Sequence, residues 1–249
     1  MQRILRAGVV VLIVTTAAVA VFLTAAYRAT QDVPEFYERA LAKRPVEQKA
    51  AADQLERKVL QLHNEIRRSG RWEARFSQEQ INGWLAADLP EKFPGALPSG
   101  VSEPRVAIAP DKMQLAIRYR QRDVNTVLSL SGDAYLTDRP NEVAIHIQHV
   151  RAGAFPVPLG QFLEKIALRA TDAGLPLRWS EQEDGDPVAL ITLPLDREEF
   201  RGKQLQVENL EICEGEIVVS GRTDEPATKT AQQPETGGDQ VEASETHQR

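Results

Sequence analysis

The chain of 249 residues is long enough for one ordinary domain with appendages. Its 30 basic and 36 acidic residues give a net charge of −6, which argues against a nucleic-acid-binding protein, because such proteins need a basic surface. The single cysteine, Cys213, excludes an intramolecular disulfide, so the fold must depend on its apolar core.

The N-terminal part contains an uncharged, apolar stretch from residue 8 to residue 26. At about 1.5 Å per residue it is just long enough to cross a hydrocarbon core of about 30 Å. Arg3 and Arg6 precede it, which predicts that residues 1–7 are cytoplasmic and that the C-terminal domain lies outside the cell membrane. A cleaved signal peptide is the alternative, because small residues stand at plausible cleavage positions. The stretch exceeds the usual apolar region of a signal peptide, so we predict an uncleaved single-pass transmembrane helix.

The juxtamembrane segment, residues 27–71, contains a second helical pattern. Four apolar residues recur in it at intervals of four, three and four: Leu55, Val59, Leu62 and Ile66. A stripe this narrow fits either a helix lying on the domain or a short two-stranded coiled coil. We therefore predict a stalk helix, and self-association through these four residues would make the protein an envelope assembly or scaffold protein.

The stretch RFSQEQINGWLAADLP has the features of a helix start. Ser77 is a suitable N-cap, and Gln80 stands three residues later, so the two can form a capping box. Pro90 and Pro94 are expected to end the helix. Asn82 is expected to hydrogen-bond to backbone rather than to act in catalysis.

Four segments with period-two alternation follow: EPRVAIAP, KMQLAIRYRQ, VNTVLSLSGDAYL and NEVAIHIQHVRAG. One apolar and one polar face is typical of an antiparallel sheet, and the short connections predict a meander. The predicted apolar face contains Met113, Leu115, Ile117, Tyr119, Val124, Leu128, Leu130, Ala134, Leu136, Val143, Ile145 and Ile147.

The last part of the domain, which we place at residues 72–222, is predicted to hold one more helix and three strands. The helix spans residues 158–173 and has an apolar stripe. The segment DPVALITLPL predicts a strand, and KQLQVENLEIC with EIVVSG predicts a terminal hairpin. Residues 223–249 are acidic and lack aromatic residues, so we predict a disordered tail.

Groups that could carry chemistry are few. No sequence motif of a nucleophile, phosphate-binding loop or zinc helix occurs. His146 and His149 are three residues apart on a predicted strand and would point to opposite faces unless a bulge intervened. The segment EQEDGDP lacks the length and the terminal Glu of a calcium loop. We therefore predict no enzyme activity, no metal site and no cofactor.

Two of these segments also carry a family resemblance. The helix start at Phe76–Asn82 and the segment VRAGAFPVPLGQFLEKI resemble the YpmS-like family of single-span bacterial membrane proteins. The ending LQVENLEICEGEIVVSGR looks like the last hairpin of small envelope proteins associated with phospholipid binding. The resemblance implies a helix laid along a curved antiparallel sheet, as in tubular lipid-binding domains, and hence a lipid as partner.

These inferences predict an α+β fold with an N-terminal transmembrane helix, a helical stalk, a curved antiparallel sheet packed by two amphipathic helices, and a disordered tail. The expected function is that of a membrane-anchored, extracytoplasmic, non-catalytic domain of the bacterial cell envelope that binds lipid in an apolar groove. The predicted groove is lined by Trp84, Leu85, Phe155, Phe162 and Ile166. The alternative is that the helices close on the sheet and leave a filled core.

Overall fold

The computed structural model describes residues 32–121, 124–156, 177–181, 185–193 and 203–225. The helices in these ranges are α1 (Glu35–Leu41), α2 (Pro45–Ile66) and α3 (Gln78–Lys92). The strands are β1 (Gly70–Ser77), β2 (Val101–Ala109), β3 (Lys112–Gln121), β4 (Val124–Leu136), β5 (Glu142–Ala152), β6 (Phe155–Pro156), β7 (Leu177–Glu181), β8 (Pro187–Thr192), β9 (Gln204–Cys213) and β10 (Glu216–Asp224).

The strands form two antiparallel sheets. The smaller sheet has the order β1-β10-β9, and the larger has the order β2-β3-β4-β5-β8-β7, with β6 paired to the end of β5. Strands make up 52% of the described residues and helices 28%. The α+β prediction of one curved sheet packed by two amphipathic helices is therefore wrong, because a second sheet takes part and the architecture is mainly β. The predicted helix at 158–173 lies outside the described residues.

The second sheet arises from a strand that the sequence interpretation missed. In GRWEARFS, the residues Trp72, Ala74 and Phe76 alternate with charged residues, as expected of a half-buried strand. This segment is β1, and it pairs with β10 from Gly70–Thr223 to Ser77–Glu216. The predicted meander is confirmed as β2 to β5, and the predicted terminal hairpin is confirmed as β9 and β10.

Helix α2 packs on the domain along its length. Its first half crosses α3 so closely that a Cβ added to Gly83 would lie 2.5 Å from the carbonyl oxygen of Gln48. Near its end, Leu62 and Ile66 pack into the core around Trp72. The predicted stalk is thus part of the folded domain. Two of the four residues predicted for self-association are used inside the protein, so that function stays a prediction without structural support.

The predicted capping box at the start of α3 is confirmed. The Ser77 Oγ accepts a hydrogen bond from the Gln80 N–H at 3.3 Å, and the Ser77 N–H donates to the Gln80 Oε1 at 3.1 Å. The helix continues through Pro90 to Lys92, three residues beyond the predicted end at residue 89. Pro90 stands in the last turn, where it removes one backbone hydrogen bond close to the end of the helix.

Asn82 attaches α3 to the outer edge of β2. Its amide donates to the Val106 carbonyl oxygen and accepts from the Val106 N–H, both at 2.8 Å. Gln78 also accepts a hydrogen bond from the Ile108 N–H at 2.7 Å. The helix thereby satisfies backbone groups that an edge strand would otherwise leave unpaired. The expectation that Asn82 bonds to backbone is confirmed.

Replacing Asn82 with aspartate tests this attachment. The carboxylate can still accept from the Val106 N–H, but it cannot donate to the Val106 carbonyl oxygen and would face it with a negative charge. We expect a loss of about 1–3 kcal/mol in the free energy of unfolding, measured by urea denaturation. Asn64→Asp on the exposed side of α2 is the matched control and should change little.

The prediction of a membrane-spanning helix is not supported. None of the helices in the described ranges combines the length and the apolar composition that crossing a bilayer requires. The stretch from 8 to 26, on which the prediction was based, lies outside those ranges. The described helices pack on the protein instead, and α2, for example, packs Leu62 and Ile66 against the core around Trp72.

The domain extends beyond the predicted start of the tail at residue 223. Thr223 is fully buried in β10, opposite Gly70, and its hydroxyl donates to the Ile66 carbonyl oxygen at 2.9 Å. A chain cut after Arg222 would lose this link between β10 and the end of α2. The rest of the predicted tail, from 226 onward, lies outside the described residues.

Candidate functional site

The larger sheet has one face that is almost entirely apolar. Directly opposed residues of antiparallel strands point to the same face, so the register defines the members of that face. Three adjacent cross-strand rows on this side of the sheet are together what we call the apolar face. The rows are Val106, Leu115, Leu130 and Val150; Ile117, Leu128, Ala152 and Phe155; and Ile108, Met113, Gly132 and Ile147. The register thus confirms the apolar face predicted for the meander.

The third row belongs to a closed core. Ile108 and Ile147 are buried, with 4% and 5% of their surface exposed. Two rows further along β4, Leu136 packs against the core built on Trp72 and Leu205, which joins the smaller sheet to α2. This part of the apolar face is filled by the protein itself.

The first and second rows are less covered, and we call them the open half of the apolar face. Leu115 keeps 37% of its surface exposed and Phe155 keeps 41%. Ile117, Leu128 and Leu130 are half-buried. The open half therefore presents a continuous apolar strip across β2 to β6 that the protein shields only in part.

The residues predicted to line a lipid groove come from different elements. Trp84 and Leu85 are on α3, where the Trp84 ring lies 5.8 Å from the Phe93 ring. Phe155 is on β6, next to β5. The sheet order separates β2, which carries α3 at its edge, from β5 by three strand spacings, or roughly 14 Å. Phe162 and Ile166 are outside the described residues.

The opposite face of the larger sheet carries charge under α1. Tyr37 is fully buried against Ala116 and Val127. Burial raises the pKa of the Tyr37 phenol, and the Glu103 carboxylate adds to this effect. Arg105 is also buried, and its desolvation lowers the pKa of its guanidinium.

A chain of alternating charges joins α2 to α3. The carboxylate of Asp88 is fully buried and accepts from the Lys49 Nζ at 2.8 Å and from the Lys92 Nζ at 3.2 Å. Lys49 also pairs with Asp53 at 3.1 Å, and Lys92 also pairs with Glu56. Burial opposes ionisation of Asp88, but the two lysine hydrogen bonds outweigh it and hold the pKa of this carboxyl below its usual value.

These three carboxylates are also the group of possible metal ligands found in the described ranges. Their ligand atoms lie within 4.8 Å of one another. However, the ammonium groups of Lys49 and Lys92 already stand between them and supply positive charge. The arrangement therefore acts as an interhelical ion-pair network. The sequence interpretation missed it, since the local signal is limited to Lys49 with Asp53 and Asp88 with Lys92 at helical spacing.

His146 on β5 lies between two carboxylates from neighbouring strands. Its Nδ1 is 3.3 Å from an oxygen of Asp133 on β4, and its Nε2 is 3.4 Å from an oxygen of Asp186, just before β8. The Nε2 of His146 and this oxygen of Asp133 are buried and have no hydrogen-bond partner among the described residues, so the two distances describe close approaches. The arrangement brings together residues of β4 and β5 and one residue of the acidic segment EQEDGDP, whose residues 182–184 are outside the described ranges.

A bulge alters the expected orientation of the two histidines. Ser131 faces His149 while Gly132 faces Ile147, so Gln148 is an extra residue in β5. The bulge places His146 and His149 on the same face, where the sequence alone predicted opposite faces. His149 is exposed and His146 is buried, and the metal-ligand group of the described ranges contains neither.

No protein-family model matches the chain, and no curated protein or solved structure matches it either. The resemblance to the YpmS-like family and to lipid-binding envelope domains thus stays an expectation from the sequence.

Proposed function

We propose that this protein is a non-catalytic binding domain that holds the acyl chain of a lipid against the open half of the apolar face. The observation that carries the proposal is the continuity of that half: eight side chains from β2 to β6 lie in two adjacent rows, and none of them is polar. An acyl chain is the biological ligand whose chemistry matches such a strip, because it makes no hydrogen bonds and gains about 0.8 kcal/mol for each buried methylene.

The partial exposure of Leu115 and Phe155 supports a ligand rather than a filled core at this position. In contrast, the third row at Ile108 and Ile147 has almost no exposed surface. The length of the strip is also suitable. Its four strand spacings from β2 to β6 correspond to roughly 19 Å, which is comparable with the length of a lipid acyl chain.

The test is a native mass spectrum of the full-length protein, with lipid extraction of the same sample. We expect an adduct of lipid mass on the wild type and its loss in Leu115→Asp, because a carboxylate on the strip must be desolvated by any acyl chain that covers it. Leu60→Asp, at a more exposed leucine on α2, is the matched control and should keep the adduct.

Two results would contradict the proposal. The first is a wild-type spectrum without lipid together with a strongly lowered melting temperature for Leu115→Asp, which would mean that the protein itself fills this half of the face. The second is an adduct that is present in equal amount in Leu115→Asp and in the wild type.

A further inference from the structure

One end of the larger sheet gathers several connections, and we call it the loop end. Helix α3 runs antiparallel to β2, so the loop at Phe93–Gly100 lies beside the start of β2. The Arg120 N–H donates to the Gly100 carbonyl oxygen at 2.7 Å, which places the end of β3 at the same position. The Gly153 N–H donates to the Val127 carbonyl oxygen at 2.9 Å, which brings the β5–β6 turn next to the start of β4.

The loop end exposes large apolar side chains on three separate connections. Phe93 after α3 and Val124 at the start of β4 each have 52% of their surface exposed, and Phe155 on β6 has 41% exposed. Single exposed apolar residues are common on protein surfaces. Three of them at the tips of neighbouring connections, at one end of one sheet, are typical of a surface that meets an apolar phase.

The same end carries unpaired positive charge. Arg120 and Arg151 are exposed, and within the described ranges neither has a carboxylate partner. Arg118 is different, because it pairs with Glu103 at 2.6 Å. The Glu103 carboxylate near the start of β2 is therefore already neutralised by Arg118. A partner that covers this end should therefore carry negative charge next to an apolar region.

We propose that the loop end docks on the surface of a lipid bilayer that contains anionic lipid. Phe93, Val124 and Phe155 would enter the boundary between headgroups and acyl chains, while Arg120 and Arg151 contact lipid phosphates. The three apolar residues lie on separate elements, at the C-cap of α3, at the start of β4 and on β6, so a fluid interface can accept all three without matching pockets. Aromatic rings flanked by basic side chains are the residue types that such an interface favours.

This docking does not depend on the proposed acyl-chain site, but it would serve that site. The second row of the open half ends at Phe155 on β6, beside the β5–β6 turn of the loop end. A chain leaving the bilayer there would meet the apolar strip directly. The two proposals are tested by different measurements, so each can fail without the other.

The experiment attaches an environment-sensitive fluorophore to the full-length protein at a single cysteine. Cys213→Ser first removes the native thiol, and Val124→Cys, Phe155→Cys or Leu60→Cys then introduces the site. Leu60 on α2 is the control, because it is exposed to a similar or greater extent but lies away from the loop end. The probes are vesicles of phosphatidylcholine alone and vesicles of equal parts phosphatidylcholine and phosphatidylglycerol.

We expect the emission to shift to the blue at positions 124 and 155, and not at position 60, when vesicles with phosphatidylglycerol are added. Adding Arg120→Gln and Arg151→Gln should weaken vesicle binding several-fold, and raising the salt concentration should weaken binding of the parent protein in the same direction. An unchanged emission at 124 and 155, or an equal shift at position 60, would overturn the proposal, even where the protein sediments with the vesicles.

Discussion

Replacing Gly132 with alanine should destabilise the protein more than the same replacement at any other described glycine. A Cβ at this position would lie 2.0 Å from the His146 carbonyl oxygen and 3.1 Å from its carbonyl carbon. Both atoms are backbone in the centre of the larger sheet, so no side chain can move aside. Strands β4 and β5 would have to separate at the bulge, and we expect a loss of about 3 kcal/mol or more in the free energy of unfolding.

Thermal and urea unfolding measure this effect. For a chain of this size the loss corresponds to a melting temperature lower by roughly 6–12 °C, with little change in the dependence of unfolding free energy on urea. Ser129→Ala, on the same strand, removes an oxygen without adding volume and should stay within about 1 kcal/mol of the wild type. If Gly132→Ala had the same free energy of unfolding as this control, β5 would not approach β4 as closely at the bulge as the structure shows.

The sequence predicted those parts of the fold that depend on residues close to one another in the chain. The alternation in KMQLAIRYRQ and in the two segments after it placed β3 to β5 and their apolar face correctly. The capping box at Ser77 and Gln80 involves only residues within one helical turn, so the sequence was enough to predict it.

The second sheet could not be predicted in the same way. Strand β1 is a short segment between two helices, and its partner β10 follows about 150 residues later, as the pair Gly70–Thr223 shows. The alternation of Trp72, Ala74 and Phe76 was a visible signal for a strand. What it pairs with is a property of the tertiary structure, and that pairing changed the fold from one sheet with helices to two sheets.

The sequence predicted the apolar character of the sheet face that carries the candidate site, but not which part of that face is covered. The alternation made the face visible, whereas its coverage depends on tertiary contacts such as that of Leu136 with the core around Trp72. Trp84 was assigned to the groove because it belongs to an apolar stripe. An apolar stripe predicts which side of a helix is buried, but it does not predict which element of the protein covers that side.

The burial of Asp88 was equally invisible, because Lys49, one of its two partners, lies 39 residues away on another helix. Charged residues are rarely buried unless they are paired, so a fully buried aspartate between two lysines identifies a contact on which the packing of α2 against α3 depends. This contact leads to a specific dependence of stability on pH.

Acid should weaken the protein through Asp88, and Asp88→Asn should remove that part of the acid sensitivity. The two lysine hydrogen bonds hold the pKa of Asp88 in the folded state below the value of about 3.9 for an aspartate in an unfolded chain. A carboxyl with a lowered folded-state pKa contributes stability that is fully present above about pH 4 and is lost as the pH falls through the folded-state pKa. The contribution disappears because the protonated acid no longer attracts Lys49 and Lys92.

Asp88→Asn keeps the shape of the side chain and removes its charge at every pH. At neutral pH we expect it to cost about 2 kcal/mol, less than the 3–5 kcal/mol typical of breaking a fully buried ion pair, because both lysines reach solvent and can be rehydrated. The difference between wild type and variant should shrink as the pH falls below about 4. Urea unfolding at a series of pH values measures it.

Asp53→Asn provides the matched control within the same network. Asp53 pairs with Lys49 at 3.1 Å, but its side chain is 44% exposed, and exposed pairs contribute at most about 1 kcal/mol. We therefore expect a small effect at neutral pH for Asp53→Asn and a large one for Asp88→Asn. Parallel stability curves for wild type and Asp88→Asn down to pH values well below 4 would mean that Asp88 is not ionised between the two lysines in the folded protein.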